Sequence, residues 1–269
     1  MGLFDVHAHL TDRRLAAREA DVLASARAAG VTTILSNGLN PADNEAVAAL
    51  ARRAPDLVQP CFGLYPVDAV LPEMLAMGVE YHRDDEEVPD PEAAIQWVAD
   101  HVDDCVAVGE IGLDRYWVPE ALWDLQEERF RALVQIALDA DKPIVIHSRK
   151  AERRAFEILV EMGAERVDWH CFSSKFKLAQ KIADQGHWLS IPANARKSHS
   201  FTKMLRALPR ECLLLETDCP YLGPVRGELN EPANVSVTVA YAAELWACSE
   251  AEAVTQLEAN FEALFGFAP

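Results

Sequence analysis

Two segments of the sequence, PIVIH at residues 143–147 and CLLLETD at residues 212–218, are almost unbroken runs of aliphatic side chains. Such runs are typical of strands that are buried on both faces in a parallel sheet. Eight comparable segments recur along the chain, mostly about 20 to 40 residues apart, which is the length of a strand, a loop and a helix together. They are Leu3–His9, Thr32–Ser36, Val58–Gly63, Val106–Ile111, Ile144–His147, Val167–Cys171, Trp188–Ile191 and Leu213–Thr217. Eight such units in succession favour an α/β fold closed into a (β/α)8 TIM barrel, with an open doubly wound sheet as the alternative.

The segments between the predicted strands have the pattern of amphipathic helices. In Glu120–Ala140, apolar residues recur at helical spacing on one side, and charged residues mostly cover the other. Asn40 and Pro41 match the cap and the first residue of a helix. Glu231–Phe265 is predicted to form two closing helices, with Ser249 as the cap of the last one.

The length of the chain fits one domain, because a barrel of this class needs about 250 residues and the sequence has 269. We therefore predict a single domain over residues 1–269. A charged insertion near residues 80–90 is predicted to be exposed and to have no catalytic role. No apolar run approaches the roughly 20 residues that span a membrane, and the start of the chain lacks the features of a signal peptide. The six cysteines form no C-x-x-C pair, which indicates reduced thiols and a cytoplasmic protein.

The charge of the chain is strongly negative and unevenly distributed. A net charge of −18 disfavours a protein that coats nucleic acid. Residues 149–226, however, hold 14 Lys and Arg against 9 Asp and Glu, whereas the remainder holds 11 against 34. Two interpretations stay open, namely solvated helix faces or a locally positive mouth formed by the loops after the later strands.

The first predicted strand ends in Asp5-Val6-His7-Ala8-His9. Because successive side chains of a strand alternate, Asp5, His7 and His9 share one face. Two imidazoles spaced in this way on an inward face can chelate one metal ion, and Asp5 is expected to orient one ring through its other nitrogen. An isolated H-x-H is more commonly a pair of ordinary histidines, but barrel enzymes keep their active sites at this end of the strands.

Four more potential ligands end later strands, and they are Glu110 in VGEIGLD, His147 in IVIHSR, His170 in DWHCFS and Asp218 in LLLETDCPY. Each alone has an ordinary explanation, such as a satisfied core histidine or a helix-capping aspartate. Together with His7 and His9 they predict a centre for two divalent cations, with the Glu110 carboxylate able to bridge both. Mixed nitrogen and oxygen ligands fit Zn, Mn or Mg and do not select among them. Two cations about 3.5–4 Å apart would activate a water molecule for hydrolysis.

Over nearly its whole length the chain resembles the TatD family of metal-dependent deoxyribonucleases, within the amidohydrolase superfamily. The resemblance rests on DVHAHL, GEIGLD, KPIVIHSRKA, HCFS, LLLETDCPYLGPVRG and NEPANV, in this order. It implies one metal ion held by His7, His9 and Asp218. It implies a second ion held by His147 and His170, with Glu110 bridging the two. Glu110 and Asp218 would be the catalytic residues, with Asp218 as general base, in the hydrolysis of phosphodiesters and often of single-stranded DNA from its ends.

The chain departs from the family pattern in the part that contacts substrate. Tyr65 stands in GLYP where the family usually has the histidine of G-x-H-P, which contacts phosphate. A phenol at this position can still donate a hydrogen bond. Ser174 follows HCFS in place of the usual glycine, and Glu228 and Leu229 replace an expected basic pair. The sequence therefore supports hydrolase chemistry more firmly than DNA as the substrate.

Three functions stay open at this point. The first is a two-metal phosphodiesterase acting on nucleic acid, with single-stranded DNA favoured and with Arg149, Tyr65 and Arg226 as substrate contacts. Lys175 and Lys177 are further candidates for binding phosphate. The second is a related hydrolase of an amide, lactone or carboxylic ester in a small molecule or aminoacyl conjugate, which the negative net charge favours. The third is a barrel that binds without catalysis, which the complete ligand set argues against. No membrane contact and no obligate protein partner is expected.

Overall fold

The computed structural model describes residues 2–81 and 88–269, and its strands form one parallel sheet in which the order in space follows the order in sequence. The strands are β1 Leu3–Ala8, β2 Val31–Asn37, β3 Val58–Phe62, β4 Ala107–Asp114, β5 Ile144–Arg149, β6 Val167–Trp169, β7 Trp188–Ile191 and β8 Leu213–Leu215. Each predicted strand is confirmed to within a few residues. All residues of β4 are buried, as expected for a strand covered on both faces.

The first and last strands meet where β1 ends, and this contact closes the barrel. Ala8 forms an isolated parallel bridge with Cys219. The amide of Asp218 donates to the carbonyl of His7 at 2.9 Å, and the amide of His9 donates to the carbonyl of Cys219 at 2.8 Å. The fold is therefore a (β/α)8 TIM barrel, and its closure brings three predicted ligands together through their own backbones.

Helices surround the barrel and connect its strands. They are α1 Arg13–Ala16, α2 Glu19–Ala28, α3 Pro41–Arg53, α4 Leu71–Ala76, α5 Pro91–His101, α6 Trp123–Asp139, α7 Glu152–Glu161, α8 Phe176–Asp184, α9 His199–Ala207, α10 Val235–Trp246 and α11 Glu250–Phe265. Short 3-10 turns lie at Asp68–Val70, Val102–Asp104, Glu120–Leu122, Ala195–Lys197, Arg210–Cys212 and Pro232–Asn234. In the part of the chain that the structure describes, no helix has the length and apolar character needed to cross a bilayer.

The predicted helix signals are confirmed. The Asn40 side chain accepts a hydrogen bond from the amide of Asp43 at the start of α3, and Pro41 is its first residue. Ser249 and Glu252 form a reciprocal capping box at the start of α11. The segment predicted as one helix from Glu120 begins with a 3-10 turn and continues as α6. The Asn40 cap therefore fixes the length of the loop after β2, and the Ser249 cap fixes the turn between α10 and α11.

The core lies between the barrel and its helices. In α6, the apolar side that the sequence predicted packs inward through Phe130, Leu133 and Val134. The HRDDEE part of the predicted insertion, residues 82–87, lies outside the described residues, so its predicted exposure and lack of a catalytic role stay predictions. Beside it, Tyr81 packs its ring against Trp117 with centroids 5.5 Å apart.

Candidate metal centre

The six predicted ligands converge at the C-terminal end of the barrel. Side chains on or directly after five strands supply them, and they are His7, His9, Glu110, His147, His170 and Asp218. They form three overlapping groups, and within each group the potential ligand atoms lie within 4.8 Å of one another. Residues far apart in sequence thus form one compact cluster, which we call the ligand cluster.

Glu110 occupies the middle of the ligand cluster and presents one carboxylate oxygen to each side. Its Oε2 is 3.5 Å from His7 Nε2 and 3.4 Å from His9 Nε2. Its Oε1 is 2.8 Å from His147 Nδ1 and 3.4 Å from His170 Nε2. The carboxylate therefore spans two pairs of histidines, which is the geometry a bridging ligand requires.

Two glycines allow the backbone around Glu110 to pass close to the neighbouring strands. A Cβ on Gly63, just after β3, would lie 2.5 Å from the backbone nitrogen and oxygen of Glu110. Gly112 has a φ of +148°, and a Cβ there would lie 1.9 Å from the carbonyl oxygen of His147. Side chains at these positions would push β4 away from β3 and β5, so both glycines are needed to place Glu110.

His7, His9 and Asp218 form one side of the cluster. The Nε2 atoms of the two histidines are 3.2 Å apart, and Asp218 Oδ1 is 3.8 Å from His7 Nε2 and 3.5 Å from His9 Nε2. His9 Nδ1 lies 3.1 Å from the carbonyl oxygen of Asn37, which fixes the plane of the ring. Three potential ligand atoms are therefore directed at one point from β1 and the β8 loop.

The expectation that Asp5 orients an imidazole is wrong. Its carboxylate accepts hydrogen bonds from the amide and hydroxyl of Thr217, at 2.9 and 2.5 Å, and from the amide of His7 at 3.2 Å. Among the described residues, His7 Nδ1 has no hydrogen-bond partner. Asp5 lies on the same face of β1 as His7 and His9, as strand alternation predicts, but farther from the C-terminal end of the barrel. There it joins β1 to the loop after β8 and does not contact an imidazole ring.

Two buried carboxylates that the sequence reasoning missed lie behind the other histidines. Asp114 Oδ2 is 3.2 Å from His147 Nε2, and Glu216 Oε2 is 3.7 Å from His170 Nδ1. A carboxylate hydrogen-bonded behind a metal-binding histidine holds the orientation of its ring; Asp114 is placed to do this for His147, whereas Glu216 lies beyond hydrogen-bond distance of His170. Asp114 has a sequence signal, because a residue four positions after Glu110 lies on the same face of β4.

Strong electrostatic coupling distinguishes this cluster from an ordinary polar core. Burial alone would raise the pKa of Glu110, but the neighbouring His170, His147 and His7 hold it well below its usual range. Burial alone would lower the pKa of His9, yet its hydrogen bond to Asp218 and the charge of Glu110 raise it to about 9. The two carboxylates thus favour positive charge in their midst even where water is excluded.

The donor set fits divalent cations. Neutral imidazole and ionised carboxylate are the forms that bind such ions, and the fields of the carboxylates attract positive charge to this point. The Nε2 atoms of His7 and His9 lie so close together that at most one of them can carry a proton on the line between them. A cation bound by both nitrogens also explains this short distance.

The predicted substrate residues lie in different environments at the mouth of the barrel. Tyr65 is half-buried, with its ring centroid 5.1 Å from that of His147. Arg149 is exposed at the end of β5, and its guanidinium carbon lies 3.8 Å from the centroid of the Tyr116 ring. Arg226, Lys175 and Lys177 are exposed, and within the described residues they make no hydrogen bond or ion pair with the ligand cluster. Tyr65 thus contacts a candidate ligand and Arg149 ends the strand that carries His147, whereas Arg226 and Lys175 lie on loops and Lys177 lies in α8.

Comparison with known proteins identifies the relatives of the chain. The model of one family, described as TatD related DNase, matches residues 4–266. The human deoxyribonuclease TATDN3 is 30% identical over 268 residues, which cover 98% of this chain and 95% of that protein. The uncharacterized metal-dependent hydrolase YabD of Bacillus subtilis is 30% identical over 270 residues, covering 98% of each chain. The crystal structure of the TatD homologue YJJV from Escherichia coli matches with a TM-score of 0.83 at 23% identity, over 98% of both chains, and bears on the fold alone.

Proposed function

The chain belongs to the TatD related DNase family and is a metal-dependent hydrolase; on that premise we propose that it is a two-metal phosphodiesterase acting on single-stranded DNA. The position of Glu110 carries this proposal. Its two carboxylate oxygens face different histidine pairs, with contacts between 2.8 and 3.5 Å. A residue that serves a single ion would have no need to present both oxygens to separate nitrogen pairs.

The proposed ligand assignment follows from these contacts. His7, His9 and Asp218 would hold one ion, His147 and His170 the other, and Glu110 both. Divalent cations held in this way supply Lewis acidity toward water and toward the oxygens of a phosphodiester. Zn, Mn and Mg all accept this mixed donor set.

Asp218 is the residue we assign to proton transfer. Its side chain is 13% exposed, whereas that of Glu110 is 3% exposed, so Asp218 is the carboxylate of the pair that solvent reaches. Its Oδ1 atom faces Nε2 of His7 and Nε2 of His9. Its other oxygen, Oδ2, is therefore assigned to accept the proton of the attacking water, and the histidines keep the carboxylate ionised for that purpose.

Tyr65, Arg149 and Arg226 are assigned to the substrate. Arg149 ends β5 two residues after His147, so its guanidinium N–H groups are assigned to bind phosphate oxygens beside the metal centre. Tyr65 packs on His147 and is a candidate donor to the same phosphate. Arg226 lies on the exposed loop after β8 and would contact the strand farther from the scissile bond.

Metal content and a substrate screen together test the proposal. Elemental analysis of the Mn- or Zn-loaded protein is expected to give two equivalents, and His147→Ala or His170→Ala is expected to lose one. The matched control is His101→Ala on α5, where the ring stacks on Trp97 away from the cluster. The screen compares single-stranded DNA, duplex DNA, RNA and simple esters. Absence of bound metal in the loaded wild-type protein would overturn the proposal.

A second function, hydrolysis of a carboxylic ester, lactone or amide, has one specific observation in its favour. Tyr65 places an uncharged phenol at the position where the family pattern has a phosphate-binding histidine, on a chain with a net charge of −18. This function predicts that simple esters or lactones are cleaved with higher kcat/KM than any nucleic acid in the same screen.

We also propose that the protein acts in the cytoplasm. All six cysteines are free thiols, and four of them are buried among apolar residues. Thiols of this kind are typical of a reducing compartment. Cell fractionation that places the protein outside the cytoplasm would contradict this location.

A further inference from the structure

Two large aromatic side chains stand exposed at the mouth of the barrel, on the loop after β4. Tyr116 is 52% exposed and Trp117 is 43% exposed. The Arg149 guanidinium carbon lies 3.8 Å from the Tyr116 ring centroid and 5.8 Å from that of Trp117. We call these three residues the aromatic platform. Exposed aromatic rings of this size forfeit burial in the core, which points to a ligand that covers them.

Asp114 ties the aromatic platform to the ligand cluster. Its Oδ1 accepts hydrogen bonds from the backbone amides of Tyr116, at 2.8 Å, and Trp117, at 3.0 Å. Its Oδ2 faces His147 Nε2 at 3.2 Å. One fully buried carboxylate therefore fixes the start of the aromatic loop and a predicted metal ligand relative to each other. The aromatic platform therefore has a fixed position relative to the ligand cluster.

The two rings contact each other, and Trp117 also contacts the ring of Tyr81. Tyr81 contacts Trp117 edge to face, with centroids 5.5 Å apart, and the Tyr116 and Trp117 rings are nearly perpendicular, at 89° and 4.8 Å. In residues 2–81 and 88–269, the Arg149 side chain has no hydrogen bond or ion pair. Its in-plane N–H groups are free to bind a phosphate, while its face is occupied by Tyr116.

This combination fits one chemical class of ligand. Flat aromatic faces bind nucleobases by stacking, and an adjacent arginine binds the phosphate of the same nucleotide. A base inside a duplex already has both faces covered by its neighbours, so an unpaired base is the form that can reach the rings.

We propose that an unpaired nucleobase stacks on the Trp117 ring and packs against the perpendicular Tyr116 ring beside the scissile phosphodiester, and that the aromatic platform thereby selects single-stranded nucleic acid. The proposal rests on the phosphodiesterase function and names the part of the substrate that gives it specificity. Arg149 binds the phosphate attached to the stacked nucleotide, and Asp114 sets the distance between that phosphate and the ligand cluster.

The test compares two oligomers that share a phosphodiester backbone and differ in their bases. One is single-stranded DNA, and the other is a chain of 1,2-dideoxyribose phosphates without bases. Wild-type protein is expected to favour the base-bearing oligomer by about tenfold in kcat/KM, chiefly through KM, which corresponds to ~1.4 kcal/mol. The Tyr116→Ala, Trp117→Ala double variant is expected to bring the ratio close to one while metal content is unchanged.

Two control variants separate stacking from general damage. Tyr116→Phe keeps the ring and is expected to keep the ratio. Val160→Ala removes an exposed apolar side chain from α7, on the outside of the barrel, and is expected to leave the kinetics unchanged. A double variant that retains the wild-type ratio would overturn the proposal. If the wild-type protein is a dimer in solution and the double variant is a monomer with an unchanged ratio, the rings form a self-association surface instead.

Binding without turnover distinguishes failure of this proposal from failure of the phosphodiesterase function. Stacking on Trp117 is expected to quench its fluorescence when the base-bearing oligomer is added, and Trp117→Phe is expected to remove that part of the quenching. Quenching in a protein that hydrolyses neither oligomer would refute the phosphodiesterase function and retain the platform. Hydrolysis with no Trp117-dependent quenching would retain the function and refute the platform.

Discussion

Buried histidines lie at both ends of the barrel, and the two ends use them differently. His187 precedes β7 at the N-terminal end, where its Nε2 donates to the carbonyl of Ala164 at 2.8 Å and its Nδ1 accepts from the Trp169 indole at 3.2 Å. At the C-terminal end, the nitrogens of His7 and His9 face each other and the carboxylate of Glu110. One environment satisfies a neutral ring completely, and the other collects ring nitrogens around negative charge.

The difference shows that the partners of a buried histidine reveal its role better than its burial does. Two neutral partners fix the tautomer of His187 and leave no lone pair for an ion. In the ligand cluster, one nitrogen of each of the four histidine rings instead faces the Glu110 carboxylate, and among the described residues His7 Nδ1 and His170 Nδ1 have no hydrogen-bond partner. In a barrel of parallel strands, the loops at the C-terminal end form the active site, whereas residues at the N-terminal end contribute to stability.

The largest effect is expected from Glu110→Gln, which removes the charge between the two histidine pairs. A neutral amide presents one oxygen and one N–H group, so it cannot serve both sides. We expect kcat to fall by about a thousandfold or more and both metal sites to weaken, as measured by steady-state kinetics and elemental analysis.

Glu211→Gln is the matched control, because Glu211 lies in the 3-10 turn before β8 at the opposite end of the barrel. It is expected to retain activity and metal. Wild-type activity in Glu110→Gln would show that the cluster does not depend on a bridging carboxylate.

The next largest effect is expected from Gly63→Ala, which tests whether backbone contact places Glu110. The new Cβ would lie 2.5 Å from the Glu110 backbone, so β3 or β4 must shift. We expect kcat to fall about a hundredfold, since a displacement of about 1 Å costs this much, with a loss of about 1–3 kcal/mol in the free energy of unfolding.

Gly163→Ala is the comparison variant for this prediction. Gly163 has a φ of +72° with no atom within 4 Å of the added Cβ, so the substitution strains the backbone without moving the cluster. It is expected to lower stability by about 1–2 kcal/mol and to leave kcat unchanged. Equal kcat losses in both variants would show that destabilisation, and not displacement of Glu110, causes the effect.

The strands and the clustering of the six candidate ligands were predictable from sequence for the same physical reason. Burial on both faces forces a parallel strand into an apolar run, so a polar residue at its end is conspicuous, as in PIVIH and LLLETD. Eight strand–helix units in succession imply a closed barrel, in which the C-terminal ends of the strands lie close together. His187 was not singled out, because a histidine before a strand has no such signal.

The mouth was less predictable, because loop geometry has no sequence period. Tyr116 and Trp117 follow β4 in a turn that depends on two hydrogen bonds to Asp114. Arg149 was predicted as a phosphate contact, but its stacking on Tyr116 requires two loops to meet in space. Register shifts between β1 and β2, and between β4 and β5, also carry no sequence signal.

A smaller effect is expected from Arg149→Lys, which tests the exposed mouth against the buried cluster. Lysine loses both the bidentate phosphate grip and the flat face that stacks on Tyr116. We expect kcat/KM on single-stranded DNA to fall about tenfold, or ~1.4 kcal/mol, with metal content unchanged and with a smaller change on a neutral ester.

Arg196→Lys is its control, since Arg196 also stacks on a tyrosine, 4.3 Å from the Tyr241 ring centroid, but pairs with Glu244 on the outer helix α10. It is expected to have wild-type kinetics. Equal activity of Arg149→Lys and wild type on single-stranded DNA would refute the phosphate role.

The smallest effect is expected at the other end of the barrel, from His187→Asn. Burial lowers the pKa of His187 below its usual value, and the hydrogen bond to Ala164 offsets this only in part. The unfolded chain therefore binds a proton that the folded chain does not as the pH falls below about 6.5. Stability from the neutral ring is fully present above that pH and is lost as the pH falls further.

The wild-type free energy of unfolding should thus decline more steeply with acidification than that of His187→Asn, by at most about 1.4 kcal/mol per pH unit. Urea denaturation from pH 5 to 8 with a chelator present measures both slopes, and the chelator keeps metal binding out of the comparison. The metal content of His187→Asn should equal that of wild type. Identical slopes would show that His187 is not held neutral, and loss of a metal equivalent would contradict the division between the two ends of the barrel.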